Sequence, residues 1–491
     1  MEGSGGILSG LSALVGTTEP ALKLVLTLLA GYPLALIHRK YLYKNDRIPI
    51  PVLSIMPVFL FLNKDYRSTQ RNQQHLFFIT AGFLLGYWNY GGAIFHSVLA
   101  VFFTHCTLCI LKGTSLSVAI VFLFNIGYLL IGYFYTTTES YDITWTMPQC
   151  IVTLRLIGVA FDLYDGHQPE ETLSSDSKKL ALVQTPSILE IFGHSFFPSA
   201  FLIGPQFSMK RYLEFVDGDY NNKVTDGPPD SVLPAIKRGA TGVAYLIIFQ
   251  TLGSFVSDDY LLSDEFAQTC FFKRMFLLGL WGRYTLYKYI SCWVLTEGAC
   301  ILFGIAYNGK DEKGHLKWDG VENIKLNIFE NTTEFNHYIK SFNVNTNNWI
   351  AHYIYKRLKF LGNRQLSQLA SLVFLAVWHG FHDGYYICFL FEFMVIYMER
   401  DIKSIVNSND SLKNFFALPQ LQLPLEIILR IYTFVFMGWC LIPFGLLKFN
   451  KYWHAMANAS YVGIILFVLW PFVYSPLIRF VLKKMRTKRT E

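Results

Sequence analysis

The segment VFLAVWHGFHDGYYICFLFEFMVIYMER, Val373 to Arg400, is apolar along almost its whole length, yet it sets His379, His382 and Asp383 near its middle. With the residues before it, the run Leu369–Tyr397 exceeds the roughly 20 residues that cross a bilayer as a helix. An unpartnered polar group costs several kcal/mol in hydrocarbon. Ionisable side chains inside such a run are therefore held there by function or by a neighbouring helix.

The rest of the chain repeats the apolar pattern. Ala21–Ile37, Ile79–Leu111, Leu116–Tyr135, Gly242–Phe255, Met275–Ile305, Leu425–Leu447 and Tyr461–Leu482 each approach or exceed a bilayer crossing. Of the 491 residues, 52% are hydrophobic and 16% charged, and the mean hydropathy is +0.32. Soluble proteins carry roughly 25% charged residues, so the composition excludes disorder and argues against a soluble enzyme. The expected fold is all-α, a polytopic membrane protein with about eleven transmembrane helices, the longest runs supplying two passes or one tilted pass.

The odd number comes from charge. The basic segment HRKYLYKNDR, His38 to Arg47, follows the first run at once, which keeps that flank cytosolic and sends the N-terminus to the far side. The tail KKMRTKRTE, Lys483 to Glu491, is also basic and expected in the cytosol. No basic stretch precedes the first run and no small-residue cleavage pattern closes it, so it is expected to be an anchor rather than a cleaved signal. The net charge of +7 reads as this juxtamembrane bias and not as nucleic-acid binding.

A single membrane domain, residues 1–491, is expected, with no internal repeat. Two stretches interrupt the apolar pattern. Asp165–Thr185 reads as a solvent loop. Residues 308–361 mix charges, aromatics and asparagines, which suits short amphipathic or re-entrant helices in a cytosolic or interfacial insert. Irregular backbone at membrane depth is tolerated only where protein or a wet cavity satisfies it, so this insert is expected to line a cavity. The eight cysteines lie mostly in apolar runs, and Cys106 and Cys109 form a lone C-x-x-C inside one of them. They read as buried thiols without a disulfide framework. The sequons at Asn331 and Asn458 fall in a cytosolic loop and beside a span, and neither is expected to carry a glycan.

On a continuous helix His379 and His382 share one face, with Asp383 roughly on the same side. Metal-dependent membrane oxygenases need several histidine boxes. Here, of twelve histidines, only His379 and His382 make such a pair, so no metal is expected. A neutral imidazole is instead suited to take a proton from a hydroxyl. An oxyanion that develops on an acyl group then needs an uncharged donor. The insert offers Asn343, Asn345, Asn347 and Asn348 in SFNVNTNNWIAHY. A different class fits the same residues: a transporter or scramblase with a buried His/Asp relay, although the absence of an internal repeat counts against it.

Phe342-Asn343-x-x-Thr346-x-x-Trp349, followed by Trp378-His379-Gly380, resembles the membrane-bound O-acyltransferase family. The blocks YDITWTMPQCIVTLRLIG (Tyr141–Gly158), FLIGPQFSMKRY (Phe201–Tyr212), LYKYISCWVLTEGACILFGIAYNG (Leu286–Gly309) and RLKFLGNRQLSQ (Arg357–Gln368) are similar to its lysophospholipid-acylating branch. The resemblance implies helices around an internal tunnel. It also implies an acyl-CoA-dependent transfer of a fatty acyl group, favouring polyunsaturated chains, to the sn-2 hydroxyl of lysophosphatidylcholine and related lysophospholipids. His379 and Asn343 are then the catalytic residues, with Thr346, Trp349, Trp378 and His382 beside the substrate. The implied partners are acyl-CoA, a lysophospholipid and the bilayer, with a homodimer left open and no cofactor beyond the co-substrate. Lys356, Arg357 and Lys359 either meet the CoA phosphates or snorkel to the interface. The terminal KRTE is similar to a dibasic retrieval signal, which implies the endoplasmic reticulum membrane.

Overall fold

The computed structural model describes residues 7–43, 66–138, 143–218 and 230–490. Its long helices are α1 (Glu19–Tyr41), α2 (Tyr66–Tyr90), α3 (Phe95–Leu111), α4 (Ser115–Thr136), α5 (Thr146–Gly166), α6 (Val232–Gly253), α7 (Phe271–Phe303), α8 (Arg364–His379), α9 (Asp383–Asn407), α10 (Pro419–Leu446) and α11 (Ser475–Thr490). Among the described residues no strand forms beyond an isolated bridge between Lys310 and Leu316. Of the basic flank His38–Arg47, residues 44–47 lie outside the described residues, as does Glu491 of the tail.

Local chemistry places the helix ends. Thr18 and Thr114 accept backbone N–H groups of the first turns of α1 and α4, and Asn363 accepts those of Gln365 and Leu366 in α8. Seven described segments are long and apolar enough to cross a membrane. Some of the long apolar runs are divided in the structure. Ile79–Leu111 breaks at the 3₁₀ turn Gly91–Ile94 between α2 and α3, and Leu369–Tyr397 breaks between α8 and α9. Helices α7 and α9 are also long enough to cross, but carry Lys288 and Glu297, and Glu392 and Glu399, within them.

Helix α7 packs against α1, α6 and α10. Its contact with α10 is at backbone distance: a Cβ built on Gly282 lies 2.5 Å from the Cα of Gly438. Small residues allow such approach between membrane helices, where the gain is van der Waals contact. Three apolar clusters result. One gathers Phe78, Phe197 and Phe303, a second Phe391, Trp439 and Phe467, and a third Trp349, Tyr353 and Trp378 against Leu154 and Ile157 of α5.

Helix α5 is the span that the apolar runs do not single out. Within its apolar window 83% of the residues are buried, and it carries Arg155, Asp162 and Asp165 inside the protein. The Arg155 guanidinium donates to the carbonyls of His194, Ser195, Ala200 and Pro205 at 2.7, 3.1, 2.9 and 3.3 Å. The first two are the last carbonyls of the helix Ile188–Ser195 and the other two lie in the irregular stretch after it, where carbonyls lack helical partners. The charge of Arg155 is the reason this stretch can be buried.

The thiols depart in part from expectation. All eight cysteines are free, and Cys300, Cys388 and Cys440 are buried, but Cys270 is exposed and so is Cys109 of α3. An apolar thiol on a lipid-facing helix has no need of protein cover. Asn458, by contrast, is buried and donates to Leu261 O at 3.3 Å.

Candidate active site

The insert folds into short pieces: helices Leu326–Glu330, Phe335–Ser341 and Val344–Ile350, a π-helical turn Ala351–Tyr355 and a 3₁₀ turn Lys356–Leu361. The chain reverses at Asn343, which has φ +50° and ψ +44°. Asparagine is among the few L residues that hold this left-handed conformation readily. Its carbonyl accepts Asn347 N at 3.0 Å and opens the helix Val344–Ile350. Its side-chain Oδ1 accepts from Asn323 Nδ2 at 3.2 Å.

The neighbouring asparagines do different work. Asn347 Nδ2 donates to the carbonyls of Ile339 and Phe342 at 2.9 Å each, and Asn345 Nδ2 donates to Val321 O at 3.0 Å. Asn348 is exposed. Asn343 and Asn347 border the same cavity, but the Asn347 N–H groups are spent on backbone.

His379 is the last residue of α8. Gly380 follows with φ +124° and ψ −160°, a conformation open in practice to glycine alone, and the helix stops there. The expected continuous helix through both histidines is therefore broken. His382 instead takes the N-cap position of α9. Both histidines still border the cavity. Asp383 accepts the hydroxyl of Tyr452 at 2.8 Å.

Aromatic rings enclose the His379 imidazole: Trp378, Tyr385, Phe389 and Phe444, with centroids 4.8, 5.3, 5.7 and 5.2 Å away. Among the described residues His379 has no hydrogen-bond partner, so both ring nitrogens are available to a ligand. The cavity has a volume of about 320 Å³, at the lower end for small-ligand sites. One part of its wall is rich in hydroxyls, from Thr136, Thr137, Thr138, Thr144 and Thr146, while Trp293, Phe342 and Phe444 give it an aromatic side. Among the described residues no three His, Cys, Asp or Glu side chains are grouped to hold a metal ion.

The two motif tryptophans are fixed on α5. Trp378 Nε1 donates to Cys150 O at 3.0 Å, and Trp349 Nε1 to Leu154 O at 2.9 Å. Tyr353 Oη adds a bond to Asp162 Oδ1 at 2.7 Å. Trp378 lies on the cavity wall, whereas Trp349 and the buried Thr346 lie behind it. Helix α5 thus holds the segment carrying Asn343 and the segment carrying His379 against one rigid element.

The basic residues of the insert are placed elsewhere. Arg357 makes a two-pronged pair with the buried carboxylate of Asp165, at 2.9 and 2.6 Å, and its guanidinium lies over Phe161. Lys356 pairs with Asp176, and Lys359 is exposed. The hydrogen bond and charge of Lys356 hold the Asp176 carboxyl below the usual carboxylate range. None of the three basic residues borders the cavity. Asp165 itself, expected in a solvent loop, is a buried residue of α5, because Arg357 neutralises it there.

Two polar groups of the site escaped the sequence reading. Glu392 of α9 borders the cavity. The signal was present, since an acid within FLFEFMV meets the same criterion that singled out His379. Asn323 gave no signal, because its partner Asn343 is distant in sequence and no spacing marks the pair.

The chain matches the model described as "MBOAT, membrane-bound O-acyltransferase family" over residues 130–421. It is 42% identical over 482 residues to the lysophospholipid acyltransferase 5 of Drosophila melanogaster, covering 96% of this chain and 90% of the fly protein. The Mus musculus lysophospholipid acyltransferase 5 is 38% identical over 491 residues, 99% of this chain and 94% of the mouse protein. The Homo sapiens lysophospholipid acyltransferase 5 is 37% identical over 484 residues, 97% and 94%.

Proposed function

The chain belongs to the membrane-bound O-acyltransferase family, and on that premise we propose that it moves a fatty acyl group from acyl-CoA to the sn-2 hydroxyl of a lysophospholipid, with lysophosphatidylcholine as the main acceptor. One observation carries the chemistry. A histidine without a hydrogen-bond partner among the described residues and an asparagine amide border one largely apolar cavity inside a membrane protein.

His379 removes the proton from the sn-2 hydroxyl. The oxygen attacks the thioester carbonyl, and a C–O bond forms as the C–S bond breaks. Asn343 Nδ2 donates a hydrogen bond to the carbonyl oxygen as negative charge develops on it. The leaving thiolate takes the proton from the imidazolium, so the hydroxyl proton ends on CoA. Transfer is direct and needs no serine or cysteine nucleophile. The aromatic ring set around His379 excludes water that would hydrolyse the thioester. Both the hydroxyl and the acyl chain belong to lipids, which accounts for placing the imidazole within the membrane. No cofactor is required beyond the co-substrate.

The basic tail supports a cytosolic C-terminus in the endoplasmic reticulum membrane. Polyunsaturated acyl chains are the proposed preference. Purified protein, labelled polyunsaturated acyl-CoA and lysophosphatidylcholine test the reading. Labelled phosphatidylcholine is expected. Lipid movement across the membrane with no new ester would instead support a carrier and overturn it.

A further inference from the structure

We infer that Asn323 decides which end of the Asn343 amide faces the cavity, which makes Asn323 a positioning residue for acyl transfer. The inference rests on the reading of Asn343 as the donor to the oxyanion. The two ends of a side-chain amide are nearly equal in shape but opposite in hydrogen-bonding sense. Only Nδ2 stabilises an oxyanion, while Oδ1 repels it. Something must therefore choose between the two orientations.

Asn323 is held from two long helices. Glu297 of α7 is buried, and its Oε1 accepts the backbone N–H groups of Asn323 and Ile324 at 2.9 and 3.1 Å. Arg238 of α6 donates through Nε to Glu297 Oε2 at 2.7 Å and through Nη2 to Ile324 O at 2.6 Å. From that anchor Asn323 makes three bonds around the catalytic turn. Its carbonyl accepts Val344 N at 2.9 Å, and its Oδ1 accepts Asn345 N at 3.1 Å. These are the first N–H groups of the helix Val344–Ile350, which have no partner inside that helix.

A backbone N–H can only donate. Asn345 N therefore fixes Oδ1 of Asn323 on its own side, and Nδ2 of Asn323 must face Asn343. Asn343 must answer with Oδ1, at 3.2 Å. Its Nδ2 is then the end left for the cavity. The orientation of the donor descends step by step from a backbone amide, a buried carboxylate and an arginine.

Asn323→Asp separates orientation from folding. The carboxylate still accepts Asn345 N and favours the N-terminal end of that helix. It offers no N–H to Asn343, whose amide turns to donate to it and presents Oδ1 to the cavity. The expected result is a fall in kcat of about 10²-fold, as for loss of one oxyanion donor. KM for the lysolipid stays near wild type in the folded fraction. In Asn343→Ala, adding Asn323→Asp costs nothing further, because the residue acts through Asn343. Wild-type kcat in Asn323→Asp overturns the inference, and so do losses that multiply in the double variant. Should the aspartate not fold, Asn323→Ala carries the same cycle. A wild-type kcat in Asn343→Ala itself sinks the catalytic reading of Asn343, whereas a dead Asn343→Ala beside an active Asn323→Asp sinks the positioning role alone.

Discussion

The proposed role of Asn343 as oxyanion donor is open to test by replacing it. Asn343→Ala should lower kcat by about 10²–10³-fold with a smaller change in lysolipid KM, because an interaction made mainly in the transition state shows in kcat. Asn345→Ala and Asn347→Ala should show the opposite balance. Each leaves backbone carbonyls without their side-chain donor, Val321 in one case and Ile339 and Phe342 in the other. A loss of stability of about 1–3 kcal/mol is expected for each, with kcat retained in the folded fraction. Steady-state kinetics beside thermal melts of the same preparations check this, and a dead Asn347→Ala with a normal melt would move the catalytic amide to that neighbour. At this scale the sequence was informative where a spacing exists. Asn343 and His379 stand in a recognisable pattern of Thr, Trp and Gly, whereas Asn323 bonds across a fold whose path no local pattern reveals.

At the scale of elements, hydropathy located most long helices but misjudged two features for stated reasons. Helix α5 is largely enclosed by protein, so it tolerates Arg155, Asp162 and Asp165, and these charges lower its hydropathy enough that it does not stand out among the apolar runs. The run from Leu369 to Tyr397 looked continuous because periodicity carries no term for the conformation of Gly380, whose φ of +124° ends α8 at His379. A second glycine nearby has a different task. A Cβ on Gly384 lies 2.1 Å from Pro443 O and 2.8 Å from Leu447 O, so α9 rests directly on the end of α10. Gly384→Ala should cost about 1–3 kcal/mol or more, as overpacking against backbone with no flexible side chain to yield. The thermal midpoint in detergent is the readout, and an unchanged midpoint would show that α9 and α10 part without penalty.

For the whole molecule, the insert is fastened by the pairs Arg357–Asp165 and Lys356–Asp176 on one side and, on another, by Glu297 and Arg238, which bond the backbone of Asn323 and Ile324. For Lys356, Arg357 and Lys359 the sequence showed cations but not the acids that face them, and so left CoA phosphates and interfacial snorkelling as the alternatives. The Lys356–Asp176 pair predicts a pH dependence. Asp176 has a depressed folded pKa, set first by its hydrogen bond to Lys356. Its contribution to stability is present above the unfolded carboxylate value of about 3.9 and is lost as pH falls through the folded value. The pair is partly exposed, so the effect is small. Asp176→Asn should remove that part of the acid destabilisation, seen as a shallower fall of the melting midpoint below about pH 4. The central claim concerns His379, and one measurement tests it most directly: single-turnover acyl transfer from labelled acyl-CoA to saturating lysophosphatidylcholine, by wild type and by His379→Ala of equal thermal midpoint. The wild type should form phosphatidylcholine and free CoA in equal amounts, and His379→Ala should be slower by at least about 10²–10⁴-fold, the usual reach of general-base catalysis. A His379→Ala protein that keeps near-wild-type transfer would contradict the account.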